Sequence, residues 1–301
     1  MLEQTHSLSD GRKIGYLIYG DKNGVPLFLL HGTPGSRLWF LEDDHAAKSL
    51  GIKLIAADRP GYGLSDKMPG RSILDYSNDL KELADFLGHD TFSVLGVSGG
   101  GAYAAGAAYK FPERVTQCIL LSSATPFPEG KPPKSMSKEN RLAFILASRV
   151  PWLIKLANRS QKKMIDSKPE AFKKQLKKGG SHLADWDNQI LLDDEILDQT
   201  IEHLKEAYRQ GVNEVIEESV LLTKEWGFPL EKIRVPVTIW HGEKDTLSPV
   251  DQVRLMEEKI SSADTHYIPE AGHFLSEYDH MWERILNDFA RKALLESKIL
   301  Y

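Results

Sequence analysis

A serine with glycine two residues to either side opens the chemical reading: Gly96-Val97-Ser98-Gly99-Gly100 fits the pattern G-x-S-x-G. A serine hydroxyl is a weak nucleophile at neutral pH and needs a base beside it. Glycines at these offsets suit a turn where a strand and a helix pass too closely for side chains. The pattern arises by chance in roughly one chain in ten of this length, so its setting decides its meaning. Phe92, Val94, Leu95 and Val97 read as a strand, and Ala102, Ala105, Ala108 and Tyr109 as a helix. That context predicts a nucleophilic Ser98 on a strained strand-to-helix turn, with Oγ above the sheet. Among ten histidines, His273 follows a strand at 265–268 and is preceded by Gly272, which puts it on the carboxyl edge of the sheet with Ser98. His241 ends a strand on the same edge and is the rival base. A catalytic histidine needs a carboxylate to fix its tautomer. Asp245 follows the strand at 235–240 and Glu243 is its neighbour and competitor, while Asp264 precedes a strand and so belongs to the opposite edge.

The elements that must position these residues are short apolar runs separated by helical patterns. Runs at 12–19, 26–30, 53–57, 92–97 and 115–121 read as strands, and 38–50, 73–87 and 99–111 as helices. Continuous apolar runs between helices mean a mostly parallel sheet covered on both faces. Pro126, Pro128, Pro132 and Pro133 then mark a connection, and from about 138 to 226 the pattern is helical, with candidates at 142–150, 152–165, 169–178 and 190–222, the last broken near Gly211. Alternation resumes with strands at 235–240 and 265–268 and helices at 250–260 and 282–295. The expected fold is α/β: a mostly parallel central sheet flanked by helices, formed by residues 1–125 and 227–301, with an all-helical cap inserted at 126–226.

With these motifs in order, the chain resembles the α/β-hydrolase family over nearly its whole length. His31-Gly32-Thr33-Pro34-Gly35 is similar to the family's oxyanion loop, and Asp58-Arg59-Pro60-Gly61-Tyr62-Gly63-Leu64-Ser65 to its D-x-x-G-x-G-x-S turn. His241-Gly242-Glu243-Lys244-Asp245 resembles the acid-bearing segment and Glu270-Ala271-Gly272-His273-Phe274 the histidine loop. The family's Ser…Asp…His order implies a triad of Ser98, Asp245 and His273. Some relatives carry the acid after the strand preceding the cap, but Ser122-Ser123-Ala124-Thr125 offers no carboxylate there. The resemblance implies an oxyanion hole made by the backbone N–H groups of Thr33 and Gly99. Serine rather than aspartate or cysteine at 98 implies acyl transfer to water, from an ester, lactone, amide or vinylogous C–C bond, most simply by a carboxylesterase-like hydrolase acting on a small ester through an acyl-enzyme. Two other readings stand beside it. One is a ligand sensor that keeps the fold without turnover. The other is an aminopeptidase of the proline iminopeptidase kind, with Glu214, Glu217 or Glu218 holding a substrate amine, although Gly99 replaces the tryptophan that typically follows the nucleophile there.

Composition bounds the partners. The chain has 301 residues, 41% of them hydrophobic, with 38 Lys and Arg against 43 Asp and Glu for a net charge of −5. A mildly acidic balance gives no reason to expect nucleic acid or an anionic membrane. The expected partner is a small-molecule substrate, with no cofactor and no metal. A single cysteine, Cys118, in an apolar run reads as a buried small hydrophobe, and the N-terminal residues lack the pattern of a signal peptide, so the expected location is cytoplasmic. Tyr103 and Phe274, beside the catalytic residues, are expected to contact substrate. Trp152, with Phe144, Leu153, Leu156, Trp186 and Tyr208, could line the pocket or form the insertion's own core. Oligomeric state is not legible.

Overall fold

The computed structural model describes residues 4–40, 44–127 and 130–299. Its centre is an eight-stranded sheet: β1 (Gln4–Ser7), β2 (Lys13–Gly20), β3 (Val25–Leu30), β4 (Ile52–Ala57), β5 (Phe92–Val97), β6 (Val115–Leu121), β7 (Val237–Gly242) and β8 (Ala263–Ile268), in the spatial order β1-β2-β4-β3-β5-β6-β7-β8. β1 and β2 pair antiparallel, as do β2 and β4; every later neighbour is parallel. The order places β5, which ends at the serine, in the interior of the sheet and β7 and β8, which end at the acid and histidine loops, on one side of it. All six residues of β5 are buried, as a strand covered on both faces must be.

Two apolar layers enclose the sheet. On one face α2 (Ile73–Phe86), α3 (Gly100–Lys110) and α10 (Val250–Glu257) bury Ile73, Leu80, Ala104 and Val253 against Phe28, Val94 and Leu120. On the other, a 3-10 turn at Arg37–Phe40, α1 (Asp44–Ser49) and α11 (Asp279–Ile299) bury Phe40, Ala47, Trp282 and Phe289 against Leu29, Leu95 and Trp240. Cys118 is buried in the first layer.

Between β6 and β7 the chain forms α4 (Lys138–Arg149), α5 (Pro151–Ser167), α6 (Pro169–Leu176), α7 (Asp185–Ile190), α8 (Asp194–Ala207) and α9 (Asn213–Leu222). Ile165, Phe172, Ile201, Leu204, Tyr208 and Val215 make a separate core, into which Tyr62 reaches from the loop after β4. Proline at the first position starts both α5 and α6, where its missing N–H costs no helical bond. The break expected near Gly211 is present: that glycine has φ +106° and separates α8 from α9. The helix expected over 38–50 is instead the 3-10 turn and the shorter α1, with 41–43 outside the described residues. β1 and α7 escape the sequence reading because each is too short, at four and six residues, to show a period. No helix among the described residues is long and apolar enough to cross a membrane.

Phe28 lies at the middle of this packing, fully buried on β3 with its ring 4.9 Å from that of Phe92. Phe28→Ala is expected to lower unfolding stability by about 3–5 kcal/mol, read from urea denaturation. A loss under about 1 kcal/mol would show that the sheet is not packed as described.

Candidate active site

Ser98 begins where β5 ends and has φ +52°, in the left-handed region that a residue with a side chain rarely adopts. The main chain around it is pinned. Its N–H donates to Leu121 O (3.0 Å), and its carbonyl accepts from the N–H groups of Gly101 (3.0 Å) and Ala124 (2.9 Å). A side chain at Gly96 would collide with the Gly100 carbonyl, and one at Gly100 with the Leu30 and His31 carbonyls. The two glycines therefore let β3, β5 and α3 approach closely enough to hold the bend.

His273 and Asp245 form the second part. His273 Nδ1 donates to Asp245 Oδ2 at 2.7 Å, with both residues buried. Asp245 Oδ1 accepts from the N–H groups of Leu247 and Ser248, each at 2.8 Å, so the carboxylate cannot turn away. With Nδ1 committed, the other ring nitrogen is the one free to exchange a proton. Burial alone would depress the imidazole's pKa. The Asp245 charge and its hydrogen bond, reinforced by Asp187 and Glu277, outweigh that and raise it above 6.5. Asp245 is held below the ordinary carboxylate value: burial opposes ionisation, but His273, and after it His241, more than compensate.

The rival residues have other work. His241 Nε2 donates to Ser248 O at 2.8 Å and lies 3.4 Å from Asp245 Oδ2, behind the acid and away from the cavity. Glu243 is 3.2 Å from Arg254 on the surface. Asp58 is fully buried, with Oδ2 2.7 Å from Arg37 Nη1 and its oxygens also taking the N–H groups of Arg37 and Leu64.

The loop after β3 supplies the third part. Thr33 and Gly99 both line the cavity that contains Ser98 and His273, and a side chain on Gly99 would strike Thr33 Oγ1. Gly99 opens α3, where a helix N-terminus favours negative charge. The Thr33 hydroxyl is not free to serve, since it donates to Glu218 Oε2 at 2.7 Å. Backbone N–H groups are what this loop has to offer an oxyanion.

The cavity holds about 440 Å³. Its walls are mainly apolar: Phe127, Met136 and Phe144 on one side, Ile190, Ile196 and Leu222 on others, with Phe274 beside His273. Two expectations about it are corrected. Tyr103 is fully buried, its ring 5.0 Å from the Arg59 guanidinium and edge-on to Tyr76, because its position on α3 faces α2 and Arg59 and not the cavity. Trp152 is 66% exposed near the start of α5, on a face directed away from the cavity. Leu153 and Leu156 are likewise exposed, Tyr208 belongs to the insertion's core, and Trp186 packs against Tyr278. Only Phe144 of that group lines the cavity.

The acidic residues offered for an amine do not face the cavity. Glu214 pairs with Arg71 (2.9 Å), Glu218 with Arg59 (2.8 Å), and Glu217 is exposed elsewhere. Two carboxylates that the sequence reading did not single out do approach the histidine. Asp187 of α7 is fully buried and accepts the Phe274 N–H at 2.9 Å. Glu277 lines the cavity, with the Ser276 hydroxyl 2.7 Å from its Oε2, and burial raises its pKa. Glu277 follows His273 by four residues and was open to that proximity argument; nothing in the pattern around Asp187 marks it.

Comparison with known proteins agrees with this architecture. The family model described as "alpha/beta hydrolase fold" matches residues 25–279. A 2-hydroxy-6-oxononadienedioate/2-hydroxy-6-oxononatrienedioate hydrolase of Burkholderia vietnamiensis is 25% identical over 276 residues, covering 88% of this chain and 87% of its own. Among solved structures, an esterase from Exiguobacterium antarcticum superposes with a TM-score of 0.72 at 21% identity, covering 96% of this chain and all of its own. A bromoperoxidase from Bacillus anthracis does so with a TM-score of 0.70 at 20% identity, over 96% and 100%. A family match across most of the sheet and the whole insertion, together with the strand order found here, makes the chain a member of the alpha/beta hydrolase fold family.

Proposed function

We propose that this chain is a serine hydrolase of small, largely apolar carboxylic esters, working through an acyl-enzyme with Ser98, His273 and Asp245 as its triad. The observation that carries the reading is one apolar cavity whose wall includes the Ser98 bend, the Asp245-bonded His273, Thr33 and Gly99. Ser98 Oγ attacks the ester carbonyl carbon while its proton passes to His273 Nε2. The oxyanion accepts hydrogen bonds from the N–H groups of Thr33 and Gly99. The ester C–O bond then breaks, and the leaving alkoxide takes the proton from His273. Water repeats the sequence on the acyl-serine, giving up its proton to His273 and releasing the acid. Each oxyanion donor contributes on the order of 10²–10³ in rate. The helices at 126–226 act as a cap: α4, α7, α8 and α9 each contribute residues to the cavity wall.

The same wall bears on substrate class. Among the described residues no lysine or arginine lines the cavity, and Glu277 is its one carboxylate. A substrate bearing carboxylates, as named for the Burkholderia relative, would have to bury charge there with no lysine or arginine to pair it, at several kcal/mol. Neutral esters fit better. A neutral butyrate ester is expected to exceed its ω-carboxylate analogue in kcat/KM by on the order of 10²-fold or more. Equal values would remove this assignment.

Labelling of Ser98 by a fluorophosphonate, abolished in Ser98→Ala, is the direct test of the triad. Absence of labelling in folded protein would defeat it, and tight ligand binding with no turnover across an ester panel would indicate a sensor instead.

The pH dependence follows from the charges. His273 must be neutral to take the serine proton, so kcat/KM falls as pH drops through its raised pKa. The acid limb is therefore expected above pH 6.5. The sign for stability is opposite: a raised folded-state pKa stabilises the protonated form below the unfolded value, and that contribution is lost as pH rises through the folded one. Asp245→Asn is expected to move the acid limb down and to cost on the order of 10⁴ in kcat. An unchanged profile would exclude Asp245 as the partner.

A further inference from the structure

A buried cluster of four charges lies directly beneath the oxyanion loop. Arg59, in the loop after β4, and Glu218, on α9 of the insertion, are both fully buried and meet as a two-bond fork: Nε to Oε1 and Nη2 to Oε2, each 2.8 Å. Arg71 and Glu214 form a second pair at 2.9 Å, and Arg71 Nη2 lies 3.8 Å from Glu218 Oε1, so two cations balance two anions. Glu218 Oε2 also accepts from Tyr62 OH (2.8 Å) and Thr33 Oγ1 (2.7 Å). Burial alone would favour the neutral acid, but Arg59, and less strongly Arg71, hold Glu218 ionised. The fit is close: a side chain at Gly61, which has φ +80°, would overlap the Glu214 side chain.

What distinguishes this cluster from a structural ion pair is where the remaining Arg59 donors go. Nη1 donates to His31 O, and Nη2 to Gly32 O at 2.9 Å and to Thr33 Oγ1 at 3.0 Å. Gly32 C=O and Thr33 N–H are the two ends of one peptide plane. That bond is trans, so its N–H and C=O point in opposite directions. Holding the carbonyl on the guanidinium therefore aims the Thr33 N–H away from Arg59, in a loop whose Thr33 lines the same cavity as Ser98 and Gly99. His31 Nδ1 donates to the same carbonyl at 2.9 Å, but cannot reach across to the insertion.

We propose that Glu218 is a positioning residue for the oxyanion hole: through Arg59 it sets the orientation of the Gly32–Thr33 peptide, so that seating of the helical insertion and competence of the hole are one event. The inference rests on the serine-hydrolase reading above. Without the Glu218 fork, the Arg59 guanidinium is free to rotate, the Gly32 carbonyl loses a charged donor, and the peptide can flip. The flipped state would place a carbonyl where the oxyanion forms.

The test compares wild type, Glu218→Gln and Arg59→Lys in kcat per phosphonate-titrated site, KM, affinity for a trifluoromethyl ketone, and thermal stability. The ketone forms a serine hemiketal and so reports on the oxyanion site. Glu218→Gln is expected to lower kcat per site on the order of 10²-fold, with KM within about threefold, and to weaken the ketone by a matching factor. Arg59→Lys keeps the charge but cannot reach carboxylate and carbonyl together; it is expected to lose at least about tenfold in both, and decides the matter should Glu218→Gln not fold. A fall in melting temperature with unchanged kcat per titrated site and unchanged ketone affinity would overturn the proposal and leave the cluster purely structural. Failure of wild type to label at Ser98 would overturn the hydrolase reading itself.

Discussion

The bend at Ser98 is the constraint on which the rest depends. A non-glycine residue at φ +52° costs on the order of 1–3 kcal/mol and persists only where its surroundings over-determine it. Here they do so through three backbone hydrogen bonds and through the near contact of β3 with the start of α3, which glycine at 96 and 100 alone permits. The same close approach brings the loop after β3 alongside Gly99. The geometry that strains the serine therefore also sets Thr33 against Gly99. On the proposed reading, strain at the nucleophile and construction of the oxyanion site are one packing decision.

The insertion takes part in that machinery through charge as well as shape. It sends one buried carboxylate to each of two loops at the site: Asp187 of α7 to the Phe274 N–H of the loop after β8, and Glu218 of α9 to Arg59 beneath the loop after β3. Both carboxylates are fully buried. Asp187 also adds to the field that raises the His273 pKa, behind the larger effect of Asp245. A cap that merely covered a pocket would need only apolar side chains on its inner surface, and α4 and α8 supply those. Polar contacts from α7 and α9 tie the loops at the site to the insertion.

The positions of Ser98, Asp245 and His273 were legible because their signals are local. A glycine pattern, a strand before it and a helix after it specify the bend, and short apolar runs locate the carboxyl edge where the acid and base loops must lie. The helical character of 138–222 was legible for the same reason, down to the break at Gly211. The pocket was not. Tyr103 neighbours the nucleophile in sequence, yet one step around α3 turns its ring into the core under Arg59. Trp152 is large and apolar, yet its position on α5 leaves it in water. Which face of a helix points at a cavity depends on how that helix docks, and docking is a tertiary fact. The Arg59–Glu218 pair spans 159 residues, and the sequence offered Arg59 only as part of the turn at 58–65 and Glu218 only as a candidate partner for an amine.

An ion pair in such a place needs a reason, because well-packed apolar residues of similar volume would often be as stable or more so. The reason lies in what a guanidinium can do that a leucine cannot. Its five N–H donors are coplanar and fixed in direction, so fastening one edge to Glu218 determines where the others point. Those others fall on the consecutive carbonyls of His31 and Gly32. An apolar replacement could fill the volume under the loop, but it would leave the Gly32 carbonyl with the His31 Nδ1 donor alone and no charged partner. The cluster trades desolvation cost for a single backbone orientation. The second arginine–glutamate pair, Arg71 with Glu214, adds no net charge, and Arg71 reinforces Arg59 in holding Glu218 ionised. Nothing in this arrangement demands a particular substrate. It demands only that the loop over Ser98 hold one shape while charge develops on the carbonyl oxygen beside it.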